Sequence, residues 1–174
     1  MTNAERQRRW RRRKRFFVGV GNSSRRHDWE TPAPLAAALN AAVGMFDLDP
    51  CAATHDPALA RVKALRLLPD GGLAVPWTGL VYCNPPYGRT IARWIEKCAT
   101  EKATVVALLA ARTDARWWHS HVAGRAEVLF LCGRLRFGDG TNSAPFPSAI
   151  VIWRGTPEIV TQITSNIGPH WRMQ

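Results

Sequence analysis

The stretch Leu80-Val81-Tyr82-Cys83-Asn84-Pro85-Pro86-Tyr87-Gly88, together with the residues that follow it to Ala110, decides the fold class. Leu80–Cys83 is a short apolar run of strand type. Asn84–Gly88 has to be a loop, because two successive prolines fix φ and carry no N–H. Thr90–Lys102 places Ile91, Trp94, Ile95 and Cys98 at i, i+3, i+4 and i+7, the period of an amphipathic helix. Thr104–Ala110 is an unbroken apolar strand. Strand, loop, helix and strand in succession form the unit from which parallel sheets are built.

Working outward, Thr31-Pro32-Ala33-Pro34 opens an Ala/Leu-rich helix that Gly44 stops, with Thr31 as N-cap and Pro32 in the first turn. Met45–Asp49 reads as a buried strand, Pro57–Leu68 as a helix and Gly71-Gly72 as a turn. Asp114–Ala123 reads as a helix and Ala126–Cys132 as a strand. Leu135 and Phe137 then alternate with Arg134 and Arg136. A Gly/Asp/Asn/Pro loop leads to Ser148–Trp153, which makes a hairpin-like pair with a long connection. Thr156–Ile167 is the last helix. The expectation is an α/β fold: a mostly parallel sheet flanked by helices, with an antiparallel C-terminal hairpin. Such sheets bind ligands at the C-terminal ends of their strands. The two loops expected there are Asp49-Pro50-Cys51-Ala52 and Asn84–Tyr87.

The chain has 174 residues, which suits one domain, and its 46% apolar content excludes wholesale disorder. No apolar run approaches the ~18 residues of a membrane span. Net charge is +11, and it is unevenly spread. Residues 1–26 hold ten basic side chains and one acid, whereas the other 148 residues hold 14 basic and 12 acidic ones. A basic tail (1–26), jointed at Gly21–Ser24, and a globular domain (27–174) are therefore expected. The tail calls for a polyanion, nucleic acid before an acidic membrane, since no lipidation signal accompanies it. Arg8, Arg9, Arg11, Arg12, Arg13, Lys14 and Arg15 are the candidate DNA contacts, acting by counterion release. Phe16–Val20 is too short for the apolar core of an export signal, so a cytoplasmic protein is expected. Cys51, Cys83, Cys98 and Cys132 form no CxxC pair. They read as reduced, mostly buried thiols rather than a disulfide frame or zinc site.

The chemistry sits in the proline loop. Asn84 offers a side-chain oxygen and Pro85 a carbonyl, few local donors compete for them, and the Tyr87 ring stands beside them. That is a socket for a planar group bearing an NH2. Stacking of a base on such a ring is worth ~1–3 kcal/mol. An exocyclic amine is a poor nucleophile because its lone pair is delocalised into the ring. Two acceptors on its hydrogens favour a more tetrahedral nitrogen and stabilise the positive charge that develops as it is alkylated, which is electrostatic preorganisation. No Ser/His/Asp or Cys/His arrangement is needed. His119 and His121, at i and i+2, face apart on a helix and do not suggest a metal pair. Trp117, Trp118 and Trp153 read as core before base-stacking groups, Phe137 as core with lining of the base pocket as the alternative, and Arg112 and Asp114 as substrate or structural groups at a strand end.

Asn84-Pro85-Pro86-Tyr87 resembles the amino-methyltransferase motif of enzymes that use S-adenosyl-L-methionine. The wider pattern resembles the phage-type DNA N-6-adenine methyltransferases (the phage Dam-like family). The matching blocks are Asp28-Trp29-Glu30-Thr31-Pro32, Phe46–Ala52, Val81–Gly88, Ala111–Trp118 and Gly133–Phe137, spread over residues 28–153. The resemblance implies a trimmed Rossmann-like methyltransferase fold that acts on adenine in double-stranded DNA. It implies that Asn84 and Pro85 hold the target amine, that Pro86 completes the loop, and that Tyr87 stacks on a base flipped from the duplex. Trp29, Thr31 and Pro32, with Asp49, Pro50, Cys51 and Ala52, would contact the cofactor. An aromatic near its sulfonium would gain ~0.5–2 kcal/mol. Ala52 and Ala53 stand where glycines are usual, and Asp56 and Asp70 are the candidates for the ribose acid. Two alternatives stand beside this reading: methyl transfer to RNA or a protein glutamine, and an inactive methyltransferase-like DNA-binding protein.

Overall fold

A computed structural model describes residues 29–52, 65–67, 71–137, 143–168 and 170–173. The arm residues Arg8 to Arg15, the Gly21–Ser24 joint, Asp56, Asp70 and most of the helix expected at Pro57–Leu68 lie outside them. The helices are α1 (Ala33–Val43), α2 (Gly71–Ala74), α3 (Ile91–Thr100), α4 (Arg116–His121) and α5 (Pro157–Asn166). The strands are β1 (Asp49–Ala52), β2 (Leu65–Leu67), β3 (Leu80–Cys83), β4 (Thr104–Ala110), β5 (Glu127–Leu131), β6 (Ser148–Trp153) and β7 (His170–Met173).

Five strands form a sheet in the order β3-β4-β6-β5-β7, and β1 pairs with β2. Leu48, just before β1, bridges Val81 in parallel, and the Tyr82 N–H donates to the Leu48 carbonyl at 3.0 Å, so β1 enters beside β3. Only β3–β4 is parallel in the five-stranded sheet; β4–β6, β6–β5 and β5–β7 are antiparallel. The sheet is thus mixed rather than mostly parallel, because the reversed β6 is inserted between β4 and β5, which share a direction. The hairpin expected from Arg134–Phe137 is corrected too. That segment makes one isolated bridge, Arg136 to Ser143, and it is β5 that pairs with β6.

Side chains alternate strictly across the sheet. Val81, Cys83, Val105, Ala107, Leu109, Ala149, Val151 and Trp153 belong to the core shared with Trp94, Ile95 and Cys98 of α3 and Trp118 of α4. Tyr82, Val106, Leu108, Ile150 and Ile152 belong to the core on the opposite face, with Leu35, Ala36 and Leu39 of α1 and Val160 and Ile163 of α5. Burial on both faces is why β4 reads as a continuous apolar run. α1 forms from good helix-forming Ala and Leu and ends at Gly44, whose φ of 80° suits glycine and whose N–H donates to the Asn40 carbonyl at 2.9 Å.

Two local readings change. Asp49–Ala52 is not a loop after the first strand but the strand itself. The β1–β2 register shifts between Asp49 and Ala52, where Pro50 has no N–H to give, so the strand tolerates proline at an irregularity. Leu65–Leu67, read as helix, is a strand because the free edge of β1 takes it as a parallel neighbour. The Gly71-Gly72 turn is instead the start of the single-turn α2. There a Cβ on Gly72 would fall 1.8 Å from the Pro50 carbonyl oxygen, so helix and strand touch backbone to backbone. Trp77 fixes the same corner, donating its indole N–H to the Gly72 carbonyl at 2.8 Å.

Candidate functional site

β3 ends at Cys83 opposite Ala107, and the chain turns out of the sheet at Asn84. Because β1, β3, β4 and β5 run the same way, the segments after β3, β4 and β5 all emerge at this end. The Asn84 amide nitrogen donates to the Trp29 backbone carbonyl and, at 3.2 Å, to the Thr31 hydroxyl. A carbonyl can only accept, so the amide nitrogen must face Trp29 and the orientation of the carboxamide is fixed. Its other atom, Oδ1, is buried and has no hydrogen-bond partner among the described residues. Such an orphan costs about 1–3 kcal/mol and marks an unfilled role.

Thr31 is held in turn. Its hydroxyl lies 2.7 Å from the Tyr82 phenol, which points from the centre of β3 onto the α1 face. Thr31 makes no side-chain cap on α1, whose N-cap is Pro32. The segment before α1 therefore serves Asn84 through the Trp29 carbonyl and the Thr31 hydroxyl. Thr31→Val keeps the volume and strands the Tyr82 phenol. The expected result is a loss of about 1–3 kcal/mol in chemical denaturation, with Thr31→Ser recovering most of it.

Tyr87 donates its phenol to the Leu108 carbonyl at 3.0 Å. Its ring meets Phe146 at 5.2 Å and Phe137 at 6.4 Å, both nearly perpendicular. Trp29 meets the same two rings at 5.8 and 5.2 Å. Four aromatic rings thus close one side of the loop in edge-to-face contact. Phe137 is 5% exposed, core as expected, and also belongs to this cluster. Phe146 was not anticipated; its sequence signal is an aromatic enclosed by Pro145 and Pro147. Burial pushes the phenols of Tyr82 and Tyr87 well above their usual value. Both therefore remain protonated at neutral pH and act as hydrogen-bonding groups, not bases.

The Asp49–Ala52 segment runs beneath the loop, buried at all four positions. Asp49 Oδ1 accepts from the Cys51 N–H at 3.1 Å, and the Cys51 and Cys83 sulfurs lie 3.6 Å apart. Burial, aided by the Asp49 charge, pushes the Cys51 thiol up to about 11, and burial raises Cys83 as well. These thiols are packing groups rather than nucleophiles at neutral pH. All four cysteines are free, and only Cys132 is exposed. Pro32 begins α1, Pro85 is buried, and Pro86 accepts the Gly88 N–H at 2.9 Å in the tight turn that presents Tyr87.

The structure thus brings Trp29, Thr31, Asn84 and Tyr87 together and lays β1 alongside. Among the described residues no helix is long and apolar enough to cross a membrane. No curated protein matches the chain. A family model described as DNA N-6-adenine-methyltransferase (Dam) does match, over residues 21–167, which takes in every element from α1 to α5, and the chain belongs to that family.

Proposed function

We propose that the chain transfers a methyl group from S-adenosyl-L-methionine to the N6 amine of an adenine swung out of double-stranded DNA. The observation that carries this reading is the buried Asn84 Oδ1, an acceptor held in a fixed direction with nothing to accept. Trp29 and Asp49 are the residues that would hold the cofactor, the indole ring toward its sulfonium and the carboxylate toward its hydroxyl or ammonium groups. When bound, the cofactor supplies an electrophilic methyl group. Asn84 Oδ1 takes one N–H of the amine, and the Pro85 carbonyl is the second acceptor the loop offers. As the N–C bond forms and positive charge grows on nitrogen, these oxygens stabilise it, an effect worth about 10²–10³-fold in rate per hydrogen-bonding group. The nitrogen then gives up one proton to solvent, since Tyr82 and Tyr87 are already protonated. Arg8, Arg9, Arg11, Arg12, Arg13, Lys14 and Arg15 would add affinity for phosphate without reading sequence.

The test is direct. Purified protein, duplex DNA and cofactor carrying a deuterated methyl group are incubated, and the nucleosides are analysed by mass spectrometry. Deuterated N6-methyladenine in the DNA is the expected product. Label confined to RNA or protein glutamine, or absent with folded protein, overturns the reading.

A further inference from the structure

On the α3 side of the loop lies a cavity of about 370 Å³, within the ~300–1,000 Å³ of small-ligand sites. Tyr87, Ile91, Leu109, Arg112 and Trp117 line it. It shares Tyr87 with the Asn84 site but none of Trp29, Thr31 or Asn84. Trp118, next along α4, is core at 2% exposure, whereas Trp117 is half-buried and turned to the cavity. Arg112 is exposed in the turn after β4, where the Ala115 N–H donates to the Arg112 carbonyl at 3.0 Å.

We propose that this cavity is a second nucleobase site. It would take a base neighbouring the target adenine on the same nucleic acid, with Trp117 stacking on the ring and Arg112 pairing with its edge or phosphate. The inference rests on the reading above that the substrate is DNA. Three observations favour a nucleotide over another occupant. The cavity is continuous with the Asn84 loop through Tyr87. Its lining joins flat aromatic faces to a guanidinium, the pair of chemistries that bases and phosphates take. The segments at this end of the sheet also carry exposed Arg89, Arg112, Arg134 and Arg136, against two exposed described carboxylates, Asp114 and Glu30.

The test uses the full chain and a duplex library with a central adenine and randomised neighbours. Trp117→Ala and Arg112→Ala are expected to raise KM about tenfold or more and to flatten the preference at one position beside the adenine. Trp117→Phe should retain that preference. Wild-type KM and unchanged preference in both alanine variants overturn the proposal. A second arm does not depend on turnover: duplex carrying 5-iodouracil beside the adenine is irradiated with each protein. An adduct on the peptide holding Trp117 supports the site. Adducts only elsewhere, or no bound duplex, overturn it. So does loss of S-adenosylhomocysteine binding in Trp117→Ala with DNA binding intact, which assigns the cavity to the cofactor. Absence of methylation together with a Trp117 adduct overturns the enzymatic reading and leaves the base site standing.

Discussion

Asn84→Ala is expected to cut kcat by at least about 10²–10³-fold, the loss typical of removing one preorganised hydrogen-bonding group from the reacting centre. The fold should survive. The side chain's two protein bonds, to the Trp29 carbonyl and the Thr31 hydroxyl, are each worth about 0.5–1.5 kcal/mol, and the orphan acceptor disappears with them. Asn84→Asp is the sharper variant. It retains an oxygen at Oδ1 but sets a second one against the Trp29 carbonyl, where only a donor fits. If acceptor orientation matters, the aspartate variant is as inactive as alanine; if any oxygen suffices, it keeps appreciable turnover. Single-turnover methylation with saturating duplex separates this from weakened binding, because the loss should lie in kcat and leave KM near wild type.

Gly72→Ala is expected to be strongly destabilising, its added Cβ making the tightest approach of any described glycine. The new Cβ would lie 1.8 Å from the Pro50 oxygen, 2.7 Å from its carbon and 2.9 Å from Cη2 of Trp94. Two of the three atoms are backbone, so rotamer changes cannot relieve the clash and α2 must lift from β1. Overpacking that side chains can absorb costs about 1–3 kcal/mol. A backbone clash should exceed that and lower Tm by roughly 10 °C at about 2–4 °C per kcal/mol for a chain of this size. Differential scanning fluorimetry checks it; a Tm within about 2 °C of wild type would show that the two backbones can part freely.

Much of this was legible in the sequence. The β3–loop–α3–β4 unit was evident because β4 is buried on both faces and α3 shows its buried Trp94, Ile95 and Cys98 at helical spacing. The placement of Asn84 at a strand tip follows from the apolar run Leu80–Cys83 and the two prolines just after it. What was misplaced had long-range causes. The apolar run Met45–Asp49 points to the first strand there, whereas β1 contains a carboxylate and a proline that its tertiary contacts accommodate. Thr31 had the look of a helix cap, yet its hydroxyl is claimed by groups 51 and 53 residues away, which no local pattern encodes. Tyr82 did carry a usable signal: a phenol in the middle of an apolar strand needs a buried partner. The reversed strand was foreseen as strand but not in position, since pairing order across a sheet leaves no trace in periodicity.

That position has a consequence for synthesis. β4 and β5 are joined in the sheet only through β6, which pairs with both and is buried at every residue. A nascent chain that has emerged through Leu131 already holds both of these strands but lacks the one that belongs between them. The ribosome must deliver residues 148–153 before the two halves can be stitched, so the sheet closes late and over long sequence separations, the regime of slow, chaperone-sensitive folding.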